Sequence, residues 1–189
     1  MAATESKMLA LGTTAPVFSL PDAAGKLHSL TAADQAPASL IMFICNHCPF
    51  VKHVRPELAN LGSDYQARGV RVIAINSNDA TSYPGDNTEN MLIESETWGY
   101  SFPYLVDDEQ TVAKDYQAAC TPDFFVFDGD QRLVYRGQLD DSRPSNREPV
   151  TGRDVRTALD SVLADRQVPG AQKPSIGCSI KWKPGNEPD

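Results

Sequence analysis

The sequence predicts a mixed α/β domain in which helices cover both faces of one sheet. Two continuous apolar runs, SLIMFI (39–44) and GVRVIAIN (69–76), are typical of strands that are buried on both faces. A helical pattern lies between them, and FFVFD (124–128) and RLVYRGQ (132–138) flank a GDQ turn as an antiparallel pair. Strands that alternate with helices and end in an antiparallel pair indicate a mixed central sheet.

The first half of the chain predicts a hairpin, a strand, a helix and a second strand. VFSLPDAAGKLHSL (17–30) contains two short strand patterns around a glycine turn, which predicts an N-terminal β-hairpin. A helix is expected from about Pro49 to Arg68, because apolar residues recur there at three-to-four spacing. Those residues are Val51, Val54, Leu58, Leu61 and Tyr65. Pro49 suits the first helical turn, where its missing N–H needs no partner.

The second half predicts shorter elements and a tail. A helix is expected to start near Thr88, and a short strand at YLVDD (104–108) precedes a helix from about Gln110 to Ala118. A last helix covers roughly residues 152–166, with Val155, Leu159, Val162 and Leu163 on one face. The following residues are rich in proline and glycine. We therefore expect one domain over residues 1–167 and an extended C-terminal tail over 168–189 that packs on or near it.

Composition excludes several classes of function. A net charge of −8 disfavours binding to nucleic acid or to anionic membranes, because like charges repel. No segment approaches the ~20 apolar residues of a membrane helix. The first ten residues lack the basic start and apolar run of a secretory signal. We therefore expect a cytoplasmic protein, and the sequence leaves its oligomeric state open.

The four cysteines, at positions 45, 48, 120 and 178, point to thiol chemistry. Two of them form the CxxC of ICNHCPFVK (44–52), where a predicted buried strand ends and a helix begins. Unpaired N–H groups and the helix dipole stabilise a thiolate there and lower the pKa of cysteine. Helix geometry should leave Cys45 more exposed than Cys48. We therefore expect Cys45 to attack a disulfide and Cys48 to resolve the mixed disulfide.

His47 stands between the two cysteines. A donor or positive charge beside the Cys45 sulfur would stabilise the reduced thiolate, which would make the disulfide a stronger oxidant. The alternative is a solvated histidine in a tight turn.

A strand, a CxxC and a helix with a proline inside, followed by ACTPDFFVFD (119–128), resemble the thioredoxin superfamily. The resemblance implies a thioredoxin-like fold with Pro122 as a cis proline after Thr121, in a loop that packs against the CxxC and holds a partner's backbone. The blocks CNHCPFVK, SND…YP.D..ENM, CTPDFF, YRGQLDDSRP and GCSIKW are similar to those of the peroxiredoxin-like branch of the redoxin (alkyl hydroperoxide reductase/thiol-specific antioxidant) family. This resemblance implies a thiol–disulfide oxidoreductase that acts on protein or small-molecule disulfides and dithiols and needs no cofactor.

The same resemblance raises the alternative of a thiol peroxidase with Cys48 as the peroxidatic cysteine and peroxide as substrate. Cys48-Pro49 matches the Cys-Pro at the helix start of a peroxiredoxin. However, Cys45 stands at the position of the threonine in the peroxiredoxin pattern, and Ile41 at that of its proline. The arginine expected near FFVFD is also missing. The missing threonine, proline and arginine are the groups that polarise the O–O bond of a peroxide. Dithiol–disulfide exchange is therefore the favoured interpretation, with slow peroxide reduction by a reactive thiolate as a weaker activity.

Cys120 and Cys178 each have two interpretations. Cys120 lies two residues before Pro122, so it is either a third sulfur at the CxxC or a small buried hydrophobe. Cys178 either packs the tail onto the domain through its apolar neighbours or reaches the site as an auxiliary resolving thiol.

A non-enzymatic metal-binding or interaction module is a further alternative. Cys45, His47 and Cys48 are ligand types for zinc or copper, and Cys120 or Cys178 could complete the set. No second CxxC and no paired histidine spacing occurs elsewhere in the sequence. We therefore expect no native metal site.

Overall fold

The computed structural model describes residues 3–33 and 35–188. Met1, Ala2, Asp34 and Asp189, which fall in the predicted domain and tail, lie outside the described residues. The strands are β1 (Ala3–Glu5), β2 (Phe18–Pro21), β3 (Leu27–Leu30), β4 (Ala38–Phe43), β5 (Arg71–Asn76), β6 (Tyr104–Val106), β7 (Cys120–Thr121), β8 (Asp123–Asp128), β9 (Leu133–Gly137) and β10 (Ile176–Ser179). The α-helices are α1 (Pro49–Gln66), α2 (Thr88–Trp98), α3 (Thr111–Asp115) and α4 (Arg153–Leu163), and Pro84–Asp86 forms a 3-10 turn.

The central sheet has five strands in the order β6-β5-β4-β8-β9. Strand β5 is parallel to β4 and β6, whereas β8 is antiparallel to β4 and β9. The predicted mixed sheet and the antiparallel pair at its end are confirmed. The predicted N-terminal hairpin is formed by β2 and β3, with Phe18 opposite Leu30.

Strand β4 explains why the run before the CxxC is apolar at every position. Successive strand side chains point to opposite faces of a sheet. Leu40 and Met42 pack in one core, together with the buried faces of α1 and α4. Ile41 and Phe43 pack in the other core, against Tyr116. Both faces of this strand are therefore buried, as the continuous apolar run predicts.

Helix α1 presents the predicted apolar residues to the core and starts directly after the CxxC. Cys48 is its N-cap residue, Pro49 occupies its first turn, and the helix continues through Pro56. The dithiol therefore lies in the short connection between β4 and α1. The N–H groups of the first helical turn face the second cysteine rather than the first.

A second sheet was not predicted. It has three strands in the order β1-β10-β7, and Cys178 of β10 lies opposite Ala3 on one side and opposite Thr121 on the other. Part of the predicted tail is thus the middle strand of a sheet that abuts the Thr121–Pro122 loop. In the part of the chain that is described, no helix combines the length and the apolar character needed to cross a membrane.

Candidate active site

The two cysteines of the CxxC are both buried, with exposed fractions of 1% for Cys45 and 0% for Cys48. Cys45 was expected to be the more exposed of the two, but the difference is only that between 1% and 0%, so both sulfurs are enclosed. The Thr121–Pro122 peptide bond is cis, and this loop contacts both sulfurs. Local helix geometry cannot reveal that contact, because the loop is more than 70 residues away along the chain.

Thr121 contacts each sulfur with a different group. Its Oγ1 lies 3.3 Å from the Sγ of Cys45, and its carbonyl oxygen lies 3.1 Å from the Sγ of Cys48. The hydroxyl can donate to a thiolate, whereas the carbonyl oxygen can only accept from a thiol. The two groups of Thr121 therefore suit the state in which Cys45 is a thiolate and Cys48 is a thiol.

The pKa values of the two cysteines shift in opposite directions. Hydrogen bonds from the Cys45 thiol and the Cys178 thiol, and from the backbone N–H groups of Val51 and Cys178, lower the pKa of Cys48 to about 5 against the effect of its burial. The hydrogen bond to Cys48 and burial raise the pKa of Cys45, and the charge of Asp86 adds to this. This order of pKa values differs from the expected Cys45 thiolate, and its first cause is the hydrogen bond between the two cysteines. When the proton moves from Cys45 to Cys48, the Cys48 thiol donates a hydrogen bond to the Thr121 carbonyl oxygen, and Cys45 carries the negative charge.

His47 faces a buried carboxylate. Its Nδ1 lies 2.6 Å from Oδ2 of Asp86, and its ring stacks on that of Tyr83 at a centroid distance of 5.5 Å. The Asp86 side chain has an exposed fraction of 0%, and that of His47 is 24%. The ring is therefore held in one orientation rather than solvated freely in a turn.

Asp86 also holds the loop of the CxxC. The N–H of Asn46 donates to its Oδ1 over 2.8 Å, and Nδ2 of Asn78 donates to its Oδ2 over 2.7 Å. On the other side, Nη2 of Arg55 donates to the carbonyl oxygen of Asn46 over 2.8 Å. Sequence reasoning did not single out Asp86. It is the second aspartate of the SND…YP.D..ENM block, so a signal for it was present in the sequence.

The remaining cysteines occupy opposite faces of the β7–β10 pair. Cys178 lies opposite Thr121 and packs in the same core cluster as Cys45 and Cys48. Cys120 precedes Thr121 in β7 and lies opposite Ser179, so its side chain points to the other face of the pair. Its Sγ is 3.8 Å from the carbonyl oxygen of Pro122. Burial and the charge of Asp123 raise the pKa of Cys120, which keeps it a thiol. The structure thus brings Cys178, rather than Cys120, to the dithiol.

One group of side chains in the described part of the chain has the geometry of a metal site. Ligand atoms of Cys45, His47 and Asp86 lie within 4.8 Å of one another. This set differs from the one that the sequence suggested, since Asp86 replaces Cys48. Structural zinc sites take four protein ligands, so three atoms, two of them already joined by a hydrogen bond, make a poor structural site.

Comparisons with known proteins agree with this geometry. The model of the AhpC/TSA family matches residues 11–136. The thiol-disulfide oxidoreductase ResA of Geobacillus thermodenitrificans (strain NG80-2) is 30% identical over 161 residues, which are 84% of this chain and 82% of the relative. The crystal structure of an uncharacterized conserved protein from Geobacillus kaustophilus is 58% identical, with a TM-score of 0.94 over 98% of both chains.

A more distant structure identifies the fold. The putative thiol:disulfide interchange protein DsbE from Chlorobium tepidum is 17% identical and superposes with a TM-score of 0.63, over 82% of this chain and 99% of that chain. The thioredoxin-like fold expected from the strand, CxxC and Thr-Pro pattern is thereby confirmed.

Proposed function

The chain belongs to the AhpC/TSA family and is a thiol–disulfide oxidoreductase, and we propose that Cys45 and Cys48 are its reactive dithiol. The observation that carries this proposal is that Thr121, on the cis-proline loop, contacts both sulfurs. A redox dithiol needs one sulfur to lose a proton while the other keeps one. Thr121 offers a donor to the first and an acceptor to the second.

In the proposed reaction, the Cys45 proton passes to Cys48 along the hydrogen bond that joins the two sulfurs. The Cys45 thiolate then attacks one sulfur of a partner disulfide, and the other partner sulfur leaves as a thiolate. Cys48 next attacks the Cys45 sulfur, which closes the Cys45–Cys48 disulfide and releases the second partner thiolate. The dithiol loses two electrons and two protons, and the partner gains them. The reverse sequence oxidises a partner dithiol.

The positions of the two sulfurs relative to the helix support Cys45 as the one that attacks first. Cys48 is enclosed by the Cys45 thiol, Cys178, the Val51 N–H and the Thr121 carbonyl. Cys45 lies farther from the helix, on the connecting loop. Because Cys45 has an exposed fraction of only 1%, a partner disulfide reaches it after the surrounding segments open locally. Pro122 and its neighbours are then placed to hold the partner's backbone beside the site.

The substrates are disulfides and dithiols, and we propose that they include both protein and small-molecule partners. Cytoplasmic localisation also remains a proposal. A reducing compartment would keep the four cysteines as thiols between catalytic cycles.

The test is an insulin disulfide reduction assay on the full chain. Cys45→Ser should abolish exchange, because serine cannot form the mixed disulfide, and Cys48→Ser should accumulate mixed disulfide without turnover. Cys120→Ser is the matched control, since it removes a buried thiol of the same loop that does not contact the dithiol. Full exchange activity in Cys45→Ser would disprove the proposal.

A second candidate, thiol peroxidase activity, is favoured by the pKa of about 5 of Cys48 at the N-cap of α1. The Cys48 thiolate would attack a peroxide oxygen and become a sulfenic acid while hydroxide or alkoxide leaves. Cys45 would then condense with it to a disulfide and release water. In the described part of the chain, no arginine hydrogen-bonds to either sulfur. Peroxide consumption that exceeds that of free cysteine and disappears in Cys48→Ser would establish this activity, and a rate equal to that of free cysteine would exclude it.

A further inference from the structure

Cys178 belongs to the same buried group of sulfurs as the CxxC. It is 5% exposed, and it packs in one core cluster with Cys45 and Cys48. In the β7–β10 pair it lies opposite Thr121, the residue that contacts both sulfurs of the dithiol. Three thiols, brought together from the β4–α1 loop and from β10, therefore lie at one site.

Cys48 is the central sulfur of the three. It receives hydrogen bonds from the Cys45 thiol on one side and from the Cys178 thiol and N–H on the other. Burial and the interaction with Cys48 raise the pKa of Cys178 to about 12, so that Cys178 is a thiol in the reduced protein. The two cysteines also share a neighbour, since Cys178 pairs with Thr121 and the Thr121 carbonyl oxygen lies 3.1 Å from the Cys48 sulfur.

The position of Cys178 is fixed by its neighbour. A Cβ at Gly177 would lie 2.0 Å from the carbonyl oxygen of Thr121, so only glycine allows β10 to approach the cis-proline loop this closely. Pairing with β1 on the other side and a hydrogen bond from the Lys181 N–H to Oδ1 of Asn78 (2.8 Å) hold the strand in place. The third thiol is therefore part of the folded domain and does not depend on movement of a tail.

Cys120 does not share this geometry. It lies opposite Ser179 in the same strand pair, and alternation along a strand turns neighbouring side chains to opposite faces. Its Sγ contacts the carbonyl oxygen of Pro122 instead. Cys178 thus shares a face of the strand pair with Thr121, whereas Cys120 lies on the other face.

We propose that Cys178 is a second resolving thiol, which moves the disulfide from Cys45–Cys48 to Cys48–Cys178. This inference rests on the proposed function, because that reaction supplies the Cys45–Cys48 disulfide. The Cys178 thiolate attacks the Cys48 sulfur, the Cys48–Cys178 bond forms, and the Cys45–Cys48 bond breaks. Cys45 leaves as a thiolate and takes up the proton that Cys178 gave. The exchange is redox-neutral and needs no further oxidant.

Moving the disulfide to Cys48–Cys178 changes which sulfur a reductant attacks. In the Cys45–Cys48 disulfide both sulfurs are enclosed, with exposed fractions of 1% and 0%, whereas Cys178 is 5% exposed. A partner dithiol then reduces the enzyme by attack on Cys178, and the disulfide substrate reacts at Cys45. Substrate and reductant thereby use different sulfurs of one three-thiol relay.

Peptide mapping of the intact, folded chain tests this. The protein is oxidised with oxidised glutathione, its free thiols are alkylated, and it is digested with trypsin under non-reducing conditions. Cys45 and Cys48 share the peptide 27–52, Cys120 lies in 115–132, and Cys178 lies in 167–181. A Cys45–Cys48 disulfide makes peptide 27–52 two hydrogen atoms lighter. A Cys48–Cys178 disulfide joins 27–52 to 167–181 and leaves the alkyl group on Cys45.

We expect both products from the unmodified chain and from Cys120→Ser, and only the first product from Cys178→Ser. Absence of the 27–52/167–181 pair from the unmodified chain, or an alkyl group on Cys48 in that pair, overturns the relay. The proposed function has its own readout in the same digest. If the light peptide 27–52 forms and insulin is reduced but the cross-linked pair does not form, the relay alone fails. If neither the light peptide nor the cross-linked pair forms, the proposed function fails as well.

Discussion

The Nδ1 of His47 lies 2.6 Å from Oδ2 of Asp86, directly beside the dithiol. The Asp86 carboxylate is buried and also accepts the N–H of Asn46, so its charge is fixed in position. That charge is one of the causes, after the hydrogen bond to Cys48 and burial, that raise the pKa of Cys45. The Nδ1–H of His47 donates to that carboxylate and so weakens its effect on the sulfur. The histidine of the CNHC motif therefore influences Cys45 through Asp86.

Replacing His47 with alanine should make the dithiol more reducing. Without the imidazole, the Asp86 carboxylate loses a hydrogen-bond donor, and its charge destabilises the thiolate of the reduced form more strongly. The reduction potential should therefore fall, and a tenfold change in the equilibrium constant corresponds to about 30 mV. Equilibration with glutathione buffers measures it. The matched control is His28→Ala, because His28 pairs with Asp22 at 2.8 Å on the hairpin, away from the dithiol. An unchanged or higher potential in His47→Ala would contradict this role.

Thr121→Val should slow the reaction of Cys45. The substitution keeps the β-branched shape and the carbonyl contact with Cys48 but removes the hydroxyl 3.3 Å from the Cys45 sulfur. Because that hydrogen bond lowers the pKa of Cys45, its loss should reduce the thiolate fraction and the alkylation rate several-fold at neutral pH. Tandem mass spectrometry of peptide 27–52 after timed iodoacetamide labelling distinguishes Cys45 from Cys48 and gives the rate at Cys45. Thr157→Val on α4 should leave it unchanged, and equal rates in both variants would rule the hydroxyl out.

Asp123 should make stability depend on pH. Burial raises the pKa of this fully enclosed carboxyl from 3.8 to about 8. Between these values the unfolded chain releases the proton and the folded chain keeps it, so stability should fall as pH rises, by at most about 1.4 kcal/mol per pH unit. This contribution is complete below pH ~4 and lost above pH ~8.

Urea denaturation at a series of pH values between 4 and 9 measures the effect of Asp123. Asp123→Asn should remove this part of the pH dependence, since the amide does not titrate. Asp130→Asn, in the exposed β8–β9 turn, should retain it. Parallel pH profiles for the unmodified chain and Asp123→Asn would show that the carboxyl ionises at its ordinary pKa.

Gly177→Ala should destabilise the fold. The added Cβ would lie 2.0 Å from the Thr121 carbonyl oxygen, so β10 has to shift away from the cis-proline loop. We expect a loss of roughly 1–3 kcal/mol, the usual cost of overpacking. Urea denaturation is again the measurement, and Gly170→Ala is the control because no atom lies within 4 Å of the position that its added methyl group would occupy. Equal stability of the two variants would mean that β10 has room to move.

Much of the fold was predictable because local patterns determine it. The apolar runs of β4 and β5 predicted strands buried on both faces, and the GDQ turn predicted the pairing of β8 with β9. The three-to-four spacing after Pro49 predicted α1 with its buried residues. The β1-β10-β7 sheet was not predictable in this way. Its strands are two to four residues long and distant in sequence, and such short segments show no periodicity.

The sequence by itself determined the dithiol and its place between a strand and a helix, because both depend on adjacent residues, and the resemblance to the thioredoxin superfamily implied the cis proline. Only the tertiary structure decided which groups reach the sulfurs. Folding brings Thr121, Asp86 and Cys178 to the CxxC from separate segments. The hydrogen bond from Cys178 lowers the pKa of Cys48, the charge of Asp86 raises the pKa of Cys45, and the Thr121 hydroxyl lowers it. The pKa of a buried thiol depends on all the groups around it, and a local motif contains only a few of them.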